Sequence, residues 1–132
     1  MLSIIFGIFL ILHGLVHLLY AGQSWRLFEL RPEMAWPDGA WLFSRFLGDE
    51  SIRLLATMLL VLSAAGFVTG GLGLLFRGEW WRPVIAIAAA VSSLLFIVCW
   101  NGKFQALDDQ GGIGILINLA ILALILLFKW PA

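Results

Sequence analysis

Long uncharged apolar runs alternate along this chain with short segments that hold its charges. Four stretches contain no Asp, Glu, Lys or Arg: Met1–Trp25, Leu54–Phe76, Pro83–Gly102 and Gln110–Phe128, of 25, 23, 20 and 19 residues. An α-helix rising ~1.5 Å per residue needs roughly 20 apolar residues to cross a hydrocarbon core of ~30 Å, so the pattern predicts four membrane-spanning helices. Barrel strands would alternate in polarity over ~10 residues, and Ile115–Phe128 does not. The predicted fold class is all-α: an integral membrane antiparallel four-helix bundle forming a single domain, 1–132. The spans are expected near 2–21, 52–76, 83–101 and 112–129.

The punctuation of the chain agrees. Pro83 stands where a first-turn proline is tolerated, Asp49 and Ser51 are candidate caps of the second span, and Gly111–Gly112 break the chain before the fourth. Tryptophan favours the membrane–water interface. Trp80, Trp81 and Trp130 should mark one surface, and Trp25, Trp36, Trp41 and Trp100 the other. The first loop, 22–51, holds a predicted short helix over 38–47, with Asp38 as N-cap and Gly48 as stop. Trp41, Leu42, Phe43, Phe46 and Leu47 suit an interfacial anchor, or alternatively a lid or docking surface over the bundle mouth. The first span has no basic n-region, and its apolar run exceeds a signal-peptide core, so it reads as a retained span.

Composition sharpens the picture. Hydrophobic residues are 62% and charged residues 12% of the chain, against ~45–50% and ~25% in soluble domains; mean hydropathy is +1.02. Eight basic and eight acidic residues cancel, which removes the electrostatic footprint of a nucleic-acid binder. A single cysteine, Cys99, excludes an intramolecular disulfide, and two histidines are too few for a zinc ribbon within the chain. The expected location is the bacterial inner membrane with both termini cytoplasmic, on the short loop carrying Arg77 and Arg82; the Lys/Arg count by itself favours the opposite side, which holds Arg26, Arg31, Arg45, Arg53 and Lys103. A fusion reporter on Ala132 tests that orientation.

Helices in lipid associate through close packing at small residues and through polar side chains that find each other. Ser63, Gly66, Gly70 and Gly73 form a small-residue stripe on the second span, and Ala86, Ala89, Ala90 and Ser93 one on the third. These stripes are expected to face each other. Gly66 and Gly70 alternatively suit a homo-oligomer contact.

No carboxylate, lysine or arginine falls mid-span, which argues against voltage sensors, carboxylate proton relays and most ion-coupled carriers. The chemistry-bearing groups left are His13, His17, Tyr20 and Cys99, with Asn118 in the middle of the fourth span. His13 and His17, four residues apart, share a helix face about 40° from each other, and Tyr20 and Ser24 extend that stripe. Three readings stay open. The rings can hydrogen-bond Thr57, Ser92, Asn118 or buried water; they can donate to a quinone or another polar-headed lipid; or they can ligate a metal or haem, for which no third ligand is visible. Lys103 is expected to pair with Asp108 or Asp109.

His13–Gly14–x–x–His17, the polar first loop, the Gly-rich second span and the Trp100/Lys103 turn before an Asn-bearing fourth span together resemble small four-span bacterial membrane proteins of the broad DoxX-like type. The resemblance implies a compact four-helix membrane bundle, in a superfamily some of whose members act beside quinone-linked oxidoreductases. The turn here reads Trp-Asn-Gly-Lys-Phe-Gln, where such relatives tend toward Trp-x-x-Ala-Lys-Phe-Gly, and no catalytic residue carries across. The expected role is an accessory or structural subunit of a larger membrane complex, with membrane lipids and other membrane subunits as partners. A lipid or quinone pocket would lie at His13, His17, Tyr20 and Asn118. The alternatives are a redox subunit using the histidines for quinone or haem, and a small-solute carrier or channel.

Overall fold

A computed structural model of the chain describes residues 2–28, 36–38, 40–41, 46–100 and 112–129. The architecture is an all-α bundle of four helices: α1 (Leu2–Ser24), α2 (Asp49–Leu75), α3 (Trp81–Val98) and α4 (Gly112–Leu122), the last continued by a π-helical turn, Ala123–Leu127. α1, α2 and α3 are each long and apolar enough to cross a membrane. The fourth element comprises 11 α-helical and 5 π-helical residues among those described. Residues 101–111, which include Asn101, Lys103, Asp108 and Asp109, lie outside the described residues, as does the expected Lys103 ion pair.

Neighbouring helices run antiparallel, and glycines set how closely. A methyl group built on Gly7 would lie 2.7 Å from Leu75 Cδ2, and one on Gly14 2.7 Å from Phe67 Cβ, so α1 rests directly on α2. On another side of α2, a methyl on Gly66 would lie 2.8 Å from Ala88 Cβ, while Gly70 faces Ile85 and Gly73 faces Trp80 and Trp81 of α3. The stripe expected on α2 therefore does pack on α3. Of the expected α3 stripe Ala89 and Ser93 are buried, whereas Ala86 is half-buried and Ala90 exposed; Trp81, Ile85, Ala88 and Ser92 are buried beside them. The Cβ of Ala88 and the side chain of Ile85 fill the space that the α2 glycines vacate.

The helix ends depart from expectation in two places. Gly48, extended at φ −74° and ψ 161°, is the N-cap of α2, and Asp49 and Glu50 occupy its first turn without a side-chain cap bond. Carboxylates there still favour the positive end of the helix dipole. α1 runs on to Ser24, where Arg26 takes a positive φ of 64°. The Leu27 N–H donates to Gly22 O at 2.9 Å and the Arg26 N–H to Gln23 O at 3.1 Å, a Schellman closure with a cation in the place usually held by glycine. Arg77 (φ 61°) closes α2 in the same way, through Gly78 N–H to Gly73 O at 2.7 Å.

The core divides into two apolar clusters. One gathers Phe6, Leu10, Phe67, Leu74, Trp81, Ile85, Ile121 and Ile125. The other gathers Ala21, Trp36, Ala56, Leu60, Leu95, Phe96 and Cys99. Between them lies a buried polar layer of His13, His17, Ser92 and Asn118. On the outside the helices carry exposed Ile5, Leu12, Leu62, Ile87, Leu94 and Leu116.

The first loop closes the second cluster. Trp36, expected at the interface, is 1% exposed and packs on Tyr20 and Phe96 at ring centroid distances of 5.4 and 5.6 Å. Asp38 receives Arg53 Nε at 2.7 Å and a second hydrogen bond from Arg53 Nη2, with Arg26 Nη2 at 3.0 Å. Arg26 Nη1 donates to the Gln23 and Trp36 carbonyls at 2.7 and 2.8 Å. Trp41 is tied to the end of α3: its backbone N–H donates to Trp100 O, and its Nε1–H to Ile97 O, each at 2.7 Å. Residues 39 and 42–45 of the expected 38–47 helix lie outside the described residues; Asp38, Trp41 and Phe46 are in turns.

Candidate functional site

His13 and His17 project from one face of α1 because four residues return a helix nearly to the same side. Gly14 lets Phe67 of α2 close against that face, and the Phe67 ring sits 4.7 Å from the His13 ring and 5.2 Å from the His17 ring. The two imidazoles are 5.0 Å apart and perpendicular at 89°. Ser92 from α3 and Asn118 from α4, both 0% exposed, reach the same layer.

Four hydrogen bonds join these groups. His17 Nδ1 lies 2.9 Å from His13 O, His17 Nε2 2.6 Å from Ser92 Oγ, Asn118 Nδ2 2.9 Å from Ser92 Oγ, and His13 Nε2 2.8 Å from Asn118 Oδ1. Their directions follow from one end. A carbonyl oxygen only accepts, so His17 Nδ1 carries the proton. In a neutral ring His17 Nε2 then accepts, and Ser92 gives it its single hydroxyl proton. Ser92 Oγ in turn accepts from the Asn118 amide, whose Oδ1 accepts from His13 Nε2–H. An imidazolium in this layer would carry the desolvation cost of an uncompensated charge. With both rings neutral the assignment is unique, and it leaves a lone pair on His13 Nδ1.

His13, His17 and Tyr20 line a common cleft of about 230 Å³, together with Val16 of α1, Phe96 of α3, and Ile113, Gly114 and Ile117 of α4. The cleft opens where α4 fails to close tightly on α1. A methyl group on Gly114 would have Phe96 Cε2 as its nearest neighbour at 3.8 Å, so this glycine leaves open space in the wall. Asn118 lies behind the wall and acts through His13. Phe96 and Gly114 were not anticipated as wall residues. Their signals are spacings: Phe96 is four residues from Ser92, and Gly114 four from Asn118.

Other expected groups are placed elsewhere. Thr57 Oγ1 lies 2.9 Å from Ser24 Oγ and 2.7 Å from Arg53 O, while Ser24 donates to Arg53 O at 2.9 Å. These groups hold α1 to α2 near the loop and do not touch the histidines. Met58 is exposed, and Cys99 is buried in the apolar cluster beside Leu95. Among the described residues no three His, Cys, Asp or Glu side chains gather for a metal ion. Bidentate ligation by the histidine pair would have to break the Ser92–His17 bond, because His17 uses both nitrogens and His13 uses Nε2.

Fold and site together define an all-helical bundle with a polar layer between two apolar clusters, its histidines lining a cleft. No family model, no curated protein and no solved structure matches the chain.

Proposed function

We propose that this chain is a small integral membrane protein that holds the headgroup of a polar lipid in the α1–α4 cleft, as a binding subunit without chemistry of its own. The observation that carries the reading is a cleft lined by residues of α1, α3 and α4 with a histidine network behind it, on a bundle whose outer faces are apolar. At about 230 Å³ the cleft is smaller than the roughly 300–1,000 Å³ that engulfs a drug-sized ligand. It suits a head inserted between helices with its tail left outside, along exposed Leu116 and Val16. The exposed apolar residues on every helix favour lipid as the surrounding solvent. A carrier or channel is the weaker reading, since apolar clusters lie on both sides of the polar layer. A role as accessory subunit of a membrane complex fits exposed Trp25, Trp41 and Phe46 around the loop end.

The test is lipid extraction and native mass spectrometry of protein purified in mild detergent, comparing wild type with Gly114→Phe, whose ring would fill the cleft. Wild type should retain a defined lipid that the variant lacks, with similar thermal stability. Equal lipid content in the two proteins would sink the assignment.

A further inference from the structure

The hydrogen-bond polarity of the buried layer deepens that proposal, on which it rests, by selecting the kind of headgroup. His13 is 8% exposed and lines the cleft. Among the described residues its Nδ1 receives no hydrogen bond, and the atom is not fully enclosed, so it remains accessible. We infer that the cleft takes an uncharged, hydroxyl-headed amphiphile whose O–H donates to His13 Nδ1.

The sense of the chain is what makes this selective. To be bound through His13, a headgroup offering only a carbonyl, as a quinone or an ester does, would need His13 to present Nδ1–H. His13 Nε2 would then become an acceptor, the Asn118 amide would have to turn over, and Ser92 would have to donate to Asn118. His17 would be obliged to donate from Nε2. In a neutral ring this sets the His17 Nδ1 lone pair against the His13 carbonyl at 2.9 Å, two acceptors facing each other. The alternative is a second proton on His17, a charge with no carboxylate in the layer to balance it. The backbone carbonyl of His13 therefore propagates its acceptor character through four hydrogen bonds to the cleft, where it appears as a demand for a donor. The same requirement disfavours a deprotonated phosphate or carboxylate set against this nitrogen, since such a group only accepts. Phe96 and Tyr20 on the wall offer faces to a phenolic ring, and Ile113 and Ile117 to an aliphatic alcohol, so the shared element is the hydroxyl. No bond is made or broken in the step; it is recognition alone.

Binding of matched pairs to the purified protein in nanodiscs tests this directly. A long-chain 4-alkylphenol is compared with its 4-alkylanisole, and a long-chain alcohol with its methyl ether, the ethers keeping shape but lacking the proton. At least one hydroxyl compound should bind about tenfold more tightly than its ether, the worth of one good buried hydrogen bond. Which pair shows the gap identifies a phenolic or an aliphatic source. His13→Phe should erase the gap, because its ring keeps much of the shape and carries no lone pair. A ¹⁵N spectrum of labelled wild-type protein gives a variant-free check, the His13 Nδ1 signal moving upfield on adding the tighter hydroxyl ligand. Equal affinities within both pairs, with binding abolished by Gly114→Phe, would overturn the donor inference and leave the lipid cleft standing. Binding of none of the four probes at a site sensitive to Gly114 would overturn both.

Discussion

At Ser92 the economy of a buried hydroxyl is visible. Its oxygen accepts from Asn118 and its only proton goes to His17, so Ser92→Ala strands a donor and an acceptor in one step. The expected loss is about 1–3 kcal/mol. Ser93, one residue on, is buried with its Oγ unpartnered, and Ser93→Ala should be neutral or mildly stabilising, because an unsatisfied hydroxyl is removed. Thermal unfolding of both variants in one detergent makes the comparison, and a Ser93 loss as large as that at Ser92 would contradict the network. The sequence alone exposes the His13–His17 spacing and names Ser92 and Asn118 among several conceivable partners. It cannot say that Thr57 goes elsewhere, nor which way the protons point, since both depend on helix neighbours and on a single backbone carbonyl.

At the scale of elements, glycine has opposite meanings in α1 and α4. A methyl at Gly14 would come within 2.7 Å of Phe67 Cβ and 3.1 Å of Ala64 O, a backbone atom that cannot step aside. Gly14→Ala should cost about 1–3 kcal/mol by overpacking. Gly114 has nothing closer than 3.8 Å, so Gly114→Ala should be neutral or stabilising by up to about 1 kcal/mol, the helix-propensity gain. Chemical unfolding in mixed micelles would show the two shifts in opposite directions; equal losses would mean that α4 is packed as tightly on α1 as α2 is. The small stripe of α2 was legible from its three- and four-residue spacing. The phase of α3 was not: alanines and serines lie around more than one side of that helix, and only contact with Gly66 and Gly70 selects Ala88 and Ile85. The Schellman ends at Arg26 and Arg77 were illegible too, because the usual signal is a glycine and here arginine adopts the left-handed conformation.

For the whole molecule, the loop is the part whose attachment depends on charge. Burial pushes the Asp38 carboxyl up, but the hydrogen bond from Arg53 and the charges of Arg26 and Arg53 outweigh it and hold it below its ordinary value. A lowered folded-state value means that the tie is fully present above the ordinary aspartate range of about 4 and is lost as pH falls through the lowered value. Wild type should therefore be more heat-stable than Asp38→Asn at neutral pH, with the difference shrinking on acidification below that range; a difference independent of pH would exclude the carboxylate tie. The charge-free runs by themselves determined an all-helical chain with helices long and apolar enough for a membrane, since a helix satisfies its own backbone without water and the runs lack the alternating polarity of barrel strands. They also put two imidazoles on one face, since the helical period leaves no alternative. Tertiary structure alone decided that a cleft lies between α1 and α4, and that Trp36 is a buried plug rather than a surface marker. It also decided that the polar layer ends in an accessible lone pair. Each of these depends on which surfaces remain uncovered once the helices meet, and a linear pattern of polarity does not record that.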